Sequence, residues 1–234
     1  MSESNHSLRL NLGCGLHTPP GWVNIDGSWN ARLAKHPWFR EFLSTVHLMP
    51  AGKADIPWSS NIFLHDIRKK LPFADGSASA VYASHVLEHL YREEGRQLIV
   101  ESFRVLASGG VLRVVVPDLN LIIREYLGER PFGELTGEAA GLPAADRVNE
   151  RLLMRWPSPA RSHVLYRIYE SWQDFHSHKW MYDAESLVAL LQSVGFVEAQ
   201  RKECLDSRLD DIKKVEDPGR VANGAGVAVE CVKP

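Results

Sequence analysis

The 234-residue chain has no apolar run approaching the ~18–20 residues that a membrane-spanning helix needs. Cysteine is scarce. Cys14, Cys204 and Cys231 stand far apart with no C-x-x-C pair, which argues against a disulfide framework or a thiolate zinc site and favours reduced thiols in a cytoplasmic setting. There is no basic excess either. A formal charge of −2 and a pI of about 6.6 argue against a nucleic-acid partner. No G-x-x-x-x-G-K-S/T occurs, so the usual phosphate cradle of nucleotide hydrolases is missing. The opening MSESNHSLRL has no basic stretch followed by an apolar one, unlike a secretory signal. What remains is ordinary globular composition, 44% hydrophobic and 24% charged, at a length that suits one α/β domain or a core with an insertion.

Short apolar runs recur along the chain: LRLNL at 8–12, WVNI at 22–25, IFL at 62–64, AVYA at 80–83 and VLRVVV at 111–116. Three to six residues with β-branching predict buried strands of a parallel sheet. Between the fourth and fifth runs, apolar residues at 87, 90, 98, 105 and 106 predict a helix stopped by Ser108-Gly109-Gly110. A short helix over 121–126 follows Pro117-Asp118. Residues 183–194 (DAESLVALLQSV) predict a helix with Asp183 as N-cap and Gly195 as C-cap. The runs 196–201 and 227–232 close an alternating, doubly wound sheet of about seven strands. Residues 128–175 lose this rhythm and read as an insertion or lid, too short for a core of its own. The whole, 1–234, is a single domain with its core at about 8–127 and 176–234.

Polar residues end four successive strands. Asn11-Leu12-Gly13-Cys14-Gly15 closes the first, and glycines there let a ligand approach the backbone at the edge where open α/β sheets bind ligands. Asp26 closes the second, where a carboxylate can accept hydrogen bonds from ribose hydroxyls. Asp66 follows the third and Ser84-His85 the fourth. Each alone is a turn or cap residue; four together favour a nucleoside-type ligand. Phosphates are usually held by a helix N-terminus after the glycines, but here Pro19-Pro20 leave little room for one. A ligand with ribose and no phosphate fits, and S-adenosylmethionine is one.

The segments LNLGCG…GWVNID, HDIRKKLPFADGSASAVYASHVLEHL, FRVLASGGVLRVVVPD and HKWMYDAESLVALLQSVGF together resemble the class I S-adenosylmethionine-dependent methyltransferases. More narrowly they resemble small bacterial members of the methyltransferase type 11-like group. The resemblance covers about residues 8–126 and 176–200. It implies a Rossmann-like seven-stranded sheet, mostly parallel with an antiparallel last strand. It also implies S-adenosyl-L-methionine as cofactor and S-adenosyl-L-homocysteine as product. Mapped residue by residue, Gly13, Cys14 and Gly15 would lie under the methionine part. Asp26 would bind the ribose, Asp66 and Ile67 the adenine, and Ser84-His85 would border the sulfonium. Two departures stand out: Asn11 replaces the usual acid before the glycines, at the contact to the cofactor's amino group, and His17 replaces the usual third glycine.

The stretch SHVLEHL at 84–90 spells H-x-x-E-H, an inverted zinc-protease pattern if it is helical. In the methyltransferase frame His85 falls in a strand-to-helix turn instead, so His85 and His89 need not converge and no metal is expected. For methyl transfer to a hydroxyl, a base helps. Candidates are His178 first, then Asp118 and His89, with His85, Glu88, His176 and Ser177 nearby. The segment 151–182 carries Arg151, Arg155, Trp156, Arg161, Tyr166, Tyr169, Trp172, Phe175, Trp180 and Tyr182. That set suits a glycan or acidic small-molecule acceptor, or simply packs the insertion on the core. The expected function is methyl transfer to a small-molecule or carbohydrate-like acceptor at oxygen. The alternatives are a binding-only S-adenosylmethionine protein and a zinc-dependent hydrolase using His85-Glu88-His89.

Overall fold

The computed structural model describes residues 8–36, 58–130, 141–153, 177–221 and 226–234, with a few isolated positions between 38 and 45. In chain order the elements are β1 (Leu8–Leu12), β2 (Val23–Asp26), α1 (Trp29–Ala34), β3 (Phe63–Leu64) and β4 (Ala78–Ser84). A 3₁₀ turn at Leu87–His89 leads to α2 (Arg92–Val105), β5 (Leu106–Val116), α3 (Leu119–Tyr126) and α4 (Ala144–Leu152). Then come α5 (Ala184–Val194), β6 (Val197–Lys202), the single turn α6 (Ile212–Val215), a 3₁₀ turn at Pro218–Arg220, and β7 (Val227–Val232).

The described residues form one seven-stranded sheet in the order β3-β2-β1-β4-β5-β7-β6. Pairs among β1 to β5 are parallel, and β7 runs antiparallel to both β5 and β6. This is the expected Rossmann-like doubly wound sheet. Its strand order reverses between β1 and β4, and ligands of such sheets bind at that switch point, beyond the strands' carboxyl ends.

Period-two alternation divides the core. Leu10 and Leu12, Val81 and Ala83, and Leu112 and Val114 face one side, where they pack with Leu98 and Ile99 of α2 and Leu187 and Leu191 of α5. Ala80, Tyr82 and Val115 face the other and pack with Trp22, Ile212, Val215 and Val221. Among the described residues, that second face is covered by part of the connection between β6 and β7, residues 203–221.

A buried ion network fastens this strap. Arg113, in the middle of β5, is 0% exposed, and so is the Glu216 carboxylate it grips with Nε at 2.7 Å and Nη2 at 2.8 Å. The guanidinium also donates to the carbonyls of Asp206 (2.7 Å) and Glu203 (3.0 Å) and approaches Glu230 of β7 at 3.5 Å. Glu230 in turn accepts from Arg208 N and Ser207 Oγ. Such a buried pair is tolerable only because nearly every donor and lone pair is matched.

Two expectations shift. The helix between the fourth and fifth strands begins at Arg92, after the 3₁₀ turn, because Leu90 is extended and the Glu94 carboxylate accepts from Tyr91 N to start a new helix. The glycines at 109 and 110 do not stop it. α2 ends at Val105, and Ser108–Gly110 bulge within β5, where Gly109 N donates to Lys233 O and Gly110 O accepts from Lys233 N. Of the insertion at 128–175, the described part holds α4, with Arg151 Nη2 3.6 Å from buried Glu125. Arg155, Trp156, Arg161, Tyr166, Tyr169, Trp172, Phe175 and His176 lie outside the described residues.

Candidate cofactor site

The β1–β2 connection is held by side chains. Gly13 and Gly15 adopt left-handed φ of +61° and +54°. The Asp26 carboxylate accepts from Gly15 N at 3.0 Å and from Ser28 N at 2.8 Å, tying the glycine turn to the end of β2. Asn11 Nδ2 donates to His17 O and Asn24 Oδ1, and Asn24 Nδ2 donates to Pro19 O and Trp22 O. Asn11 thus spends its amide donor on the loop. The loop keeps its shape without the helix that Pro19-Pro20 rule out.

Between this loop and β4 lies a cavity of about 400 Å³, the size of a small-molecule site. Asn11 and residues 13–17 form one wall, Tyr82 and Ser84 the floor, and Trp58 part of the rim. The cavity therefore sits at the switch point. Tyr82 and Ser84 bury hydroxyls that neighbour each other without forming a well-aligned hydrogen bond. Unmatched buried polar atoms facing a cavity are what a polar ligand would satisfy. Burial, helped by the charge of Asp26, pushes the Cys14 thiol up to about 12, so Cys14 packs as a neutral side chain.

The opposite wall was missed from sequence. Val215, Asp217 and Arg220 of the 203–221 strap line the cavity. Arg220 Nη1 donates to Ser84 O at 3.4 Å, His17 Nε2 donates to Lys214 O at 2.8 Å, and Asp211 pairs with Arg9 at 2.5 Å and with Trp22 Nε1 at 3.2 Å. The strap has no long amphipathic period, so nothing in its pattern announced it. The one available signal was Arg113, a charge in the middle of an apolar strand that demands a buried partner.

Of the residues expected at the cofactor, Asp26, Asp66, Ile67 and His85 do not line the cavity, and Asp26 reaches it only through its tie to Gly15 N. Asp66 forms a two-point bridge with Arg68 at 2.9 and 2.8 Å, and this hydrogen bonding holds its carboxyl below the ordinary range. Ile67 packs on the main core. The tips of β2 and β3 do touch: a Cβ on Gly27 would come within 2.6 Å of His65 O and 3.0 Å of Asp66 Cα.

Ser84 leads into a second cluster. His85 takes φ +54°, its N donates to Val115 O, and its Nε2 faces Arg220 O at 3.1 Å. It sits in the strand-to-helix turn, as expected, and so does not form the helical H-x-x-E-H zinc pair with His89. Glu88, however, is wholly buried, with His85 Nδ1 at 3.2 Å and His89 Nε2 at 3.9 Å. His178 packs edge-on against His89 at 5.0 Å between ring centres. The segment after 176 is docked here by Lys179 N and Trp180 N, which donate to Glu88 O, and by Lys179 Nζ, which donates to His89 O. Burial lowers the pKa of His89 and pushes that of His178 down to about 4. Tyr182 beside them is raised to about 12 by the same cause.

Asp118 has a different task. Its carboxylate accepts from Asn120 N at 3.0 Å as the N-cap of α3, and its backbone pairs with Tyr182. The structure thus gathers His85, Glu88, His89 and His178, and gives the Asp118 side chain to a helix terminus.

The sheet order, with its antiparallel β7, and a glycine-lined cavity at the switch point define a Rossmann-like fold with a small-molecule site where its strand order reverses. Residues 46–114 match the family model described as a methyltransferase domain. The match starts after the glycine loop and Asp26, so those residues rest on geometry. A search of curated proteins finds no match. Among solved structures the chain is similar to PigF with S-adenosylhomocysteine, at 12% identity and TM-score 0.46, covering 100% of this chain and 58% of that one. The present chain thus spans little more than half of PigF's length. It is also similar to a possible histamine N-methyltransferase from Thermotoga maritima (17% identity, TM-score 0.44, 100% and 84% covered). A third is an S-adenosylmethionine-dependent methyltransferase from Archaeoglobus fulgidus (14%, TM-score 0.46, 97% and 87% covered). Among the described residues, no helix is long and apolar enough to cross a membrane.

Proposed function

We propose that the domain transfers a methyl group to an oxygen of a small-molecule or carbohydrate-like acceptor. The observation that carries this is the cavity at the switch point, with a buried floor of unmatched hydroxyls and a wall bearing one carboxylate and one guanidinium. No phosphate cradle accompanies it. Asp217 and Arg220 suit the ammonium and carboxylate of an amino-acid tail, taking the place of the acid absent at Asn11. Gly15 leaves open space beside them, and Asp26 orients that turn. Trp58 supplies an aromatic face for a planar base. When bound, S-adenosylmethionine supplies a methyl group already activated by its sulfonium.

What the chain must then do is hold donor and acceptor in line and close together. The acceptor side is the cluster after β4, which is joined to the pocket through Ser84 and through His85 and Arg220. His178 and His89 are the imidazoles placed to take the hydroxyl proton as the carbon–oxygen bond forms.

Calorimetry with S-adenosylhomocysteine tests this reading. One site per chain with micromolar affinity is expected, weakened about 10-fold or more in Asp26→Ala, which loses the tie to Gly15 N and the ribose acceptor. Absence of binding would remove the reading. Binding without turnover across a panel of hydroxylated acceptors would mark a binding-only protein.

A further inference from the structure

Among the described residues, Glu88, His89 and His178 are the one group of three whose ligating atoms all lie within 4.8 Å of one another. We propose that they form a binding site for a zinc-class divalent cation beside the cofactor pocket. Glu88 is 0% exposed and neither of its carboxylate oxygens has a hydrogen-bond partner. A buried carboxylate left in that state is costly unless a cation or a proton meets it.

The histidines around it cannot readily supply hydrogen bonds. His89 Nδ1 lies 3.3 Å from Ser177 O, and a carbonyl only accepts, so Nδ1 carries the proton and Nε2 presents a lone pair towards Glu88. His178 is tied to the backbone at Leu152, which leaves Nδ1 buried and without a partner. His85 repeats the pattern from the other side, its Nε2 on Arg220 O and its Nδ1 facing Glu88. The lone pairs of His89 and His178 thus converge with the Glu88 carboxylate, each of these imidazoles held from behind by a carbonyl, while His85 meets Glu88 alone. That back-side tie is how metal-ligating histidines are oriented.

Two imidazoles and one carboxylate form a nitrogen–oxygen set suited to zinc, with a fourth position open. Zn–N distances of ~2.0–2.1 Å place tetrahedral ligands ~3.3–3.4 Å apart, so the trio closes on an ion through small side-chain rotations. The backbone frame is fixed by Lys179 N on Glu88 O at 2.7 Å and by Lys179 Nζ on His89 O at 3.1 Å. A cation held here would act on an acceptor oxygen as a Lewis acid. A metal and an accepted proton exclude each other at these atoms, so this inference refines the acceptor side of the proposed reaction and stands or falls separately from cofactor binding.

The test uses the full chain, stripped with a chelator and then titrated with ZnCl₂, with metal content measured after dialysis and Co²⁺ as a spectroscopic substitute. One zinc per chain is expected, with a higher melting temperature in zinc and a visible band for tetrahedral Co²⁺. His178→Ala and Glu88→Gln should each weaken zinc binding about 10–100-fold or more. Failure of the stripped protein to take up one zinc overturns the proposal. So does a Glu88→Gln variant that melts at or above the wild-type temperature in the presence of zinc, because the carboxyl would then be neutral or paired with protonated His85. S-adenosylhomocysteine binding by the stripped wild type, measured in parallel, separates failure of the metal site from failure of the methyltransferase reading.

Discussion

Replacing Arg113 by Met tests whether the strap over the sheet is fastened from inside. The change removes the donors that hold both Glu216 oxygens and leaves the carbonyls of Glu203 and Asp206 without partners. It also leaves two carboxylates, Glu216 and Glu230, buried without their counter-charge. Breaking a buried pair from one side costs about 3–5 kcal/mol. That is a fifth or more of the ~5–15 kcal/mol that stabilises a typical domain. For a chain of this length the melting temperature should fall by roughly 6–20 °C. Urea unfolding followed by circular dichroism reads the change in midpoint. The double change of Arg113→Met with Glu216→Leu should recover a large part of the loss, because a hydrophobic pair replaces the charges. A single-variant cost below about 1 kcal/mol, the range of exposed ion pairs, would refute the argument that the network is dry and matched.

The glycine turn separates folding from binding. A Cβ at Gly13 would lie 2.4 Å from Val86 Cγ2, whereas one at Gly15 meets nothing within 4 Å. Gly13→Ala should therefore cost stability beyond the ~1–2 kcal/mol of left-handed strain, and an arginine there would be a folding defect before it was a blocked pocket. Gly15→Ala should cost about the strain alone, while Gly15→Val reduces S-adenosylhomocysteine affinity in calorimetry. Equal destabilisation at the two positions would contradict the geometry. Arg220→Ala should weaken the same ligand about 10-fold or more, since hydrogen bonds to charged groups contribute ~1.5–3 kcal/mol. Unchanged affinity would remove the strap from the binding site.

Much of the sheet was legible because its strands are short apolar runs with period-two burial. Leu8–Leu12 and Val227–Val232 fall where the sequence predicts, and α5 begins after Asp183 and ends at Gly195 with the predicted caps. Helix α2 was blurred because Leu87 and Leu90 are as apolar as helical core residues. They are in fact buried in the 3₁₀ turn and just after it. Gly109 and Gly110 read as a helix stop, yet they serve a bulge, a use that sequence alone does not distinguish. At the site, Gly13, Gly15, Asp26 and Ser84 could be placed because each ends or follows a strand. Asp217 and Arg220 could not, since their approach depends on a tertiary ion network centred 100 residues upstream. Likewise, Glu88, His89 and His178 meet only through the backbone of 179 and 180.

The strap also has a consequence for synthesis. The glycine loop and the floor of the pocket leave the ribosome with the first third of the chain, but the facing wall arrives only with residues 215–220. A nascent chain with β1 to β5 in place would present half a pocket and an unmatched Arg113. High-affinity capture of a ligand in this cavity should thus wait on closure of β6, β7 and the strap between them, and ligand affinity reports that closure.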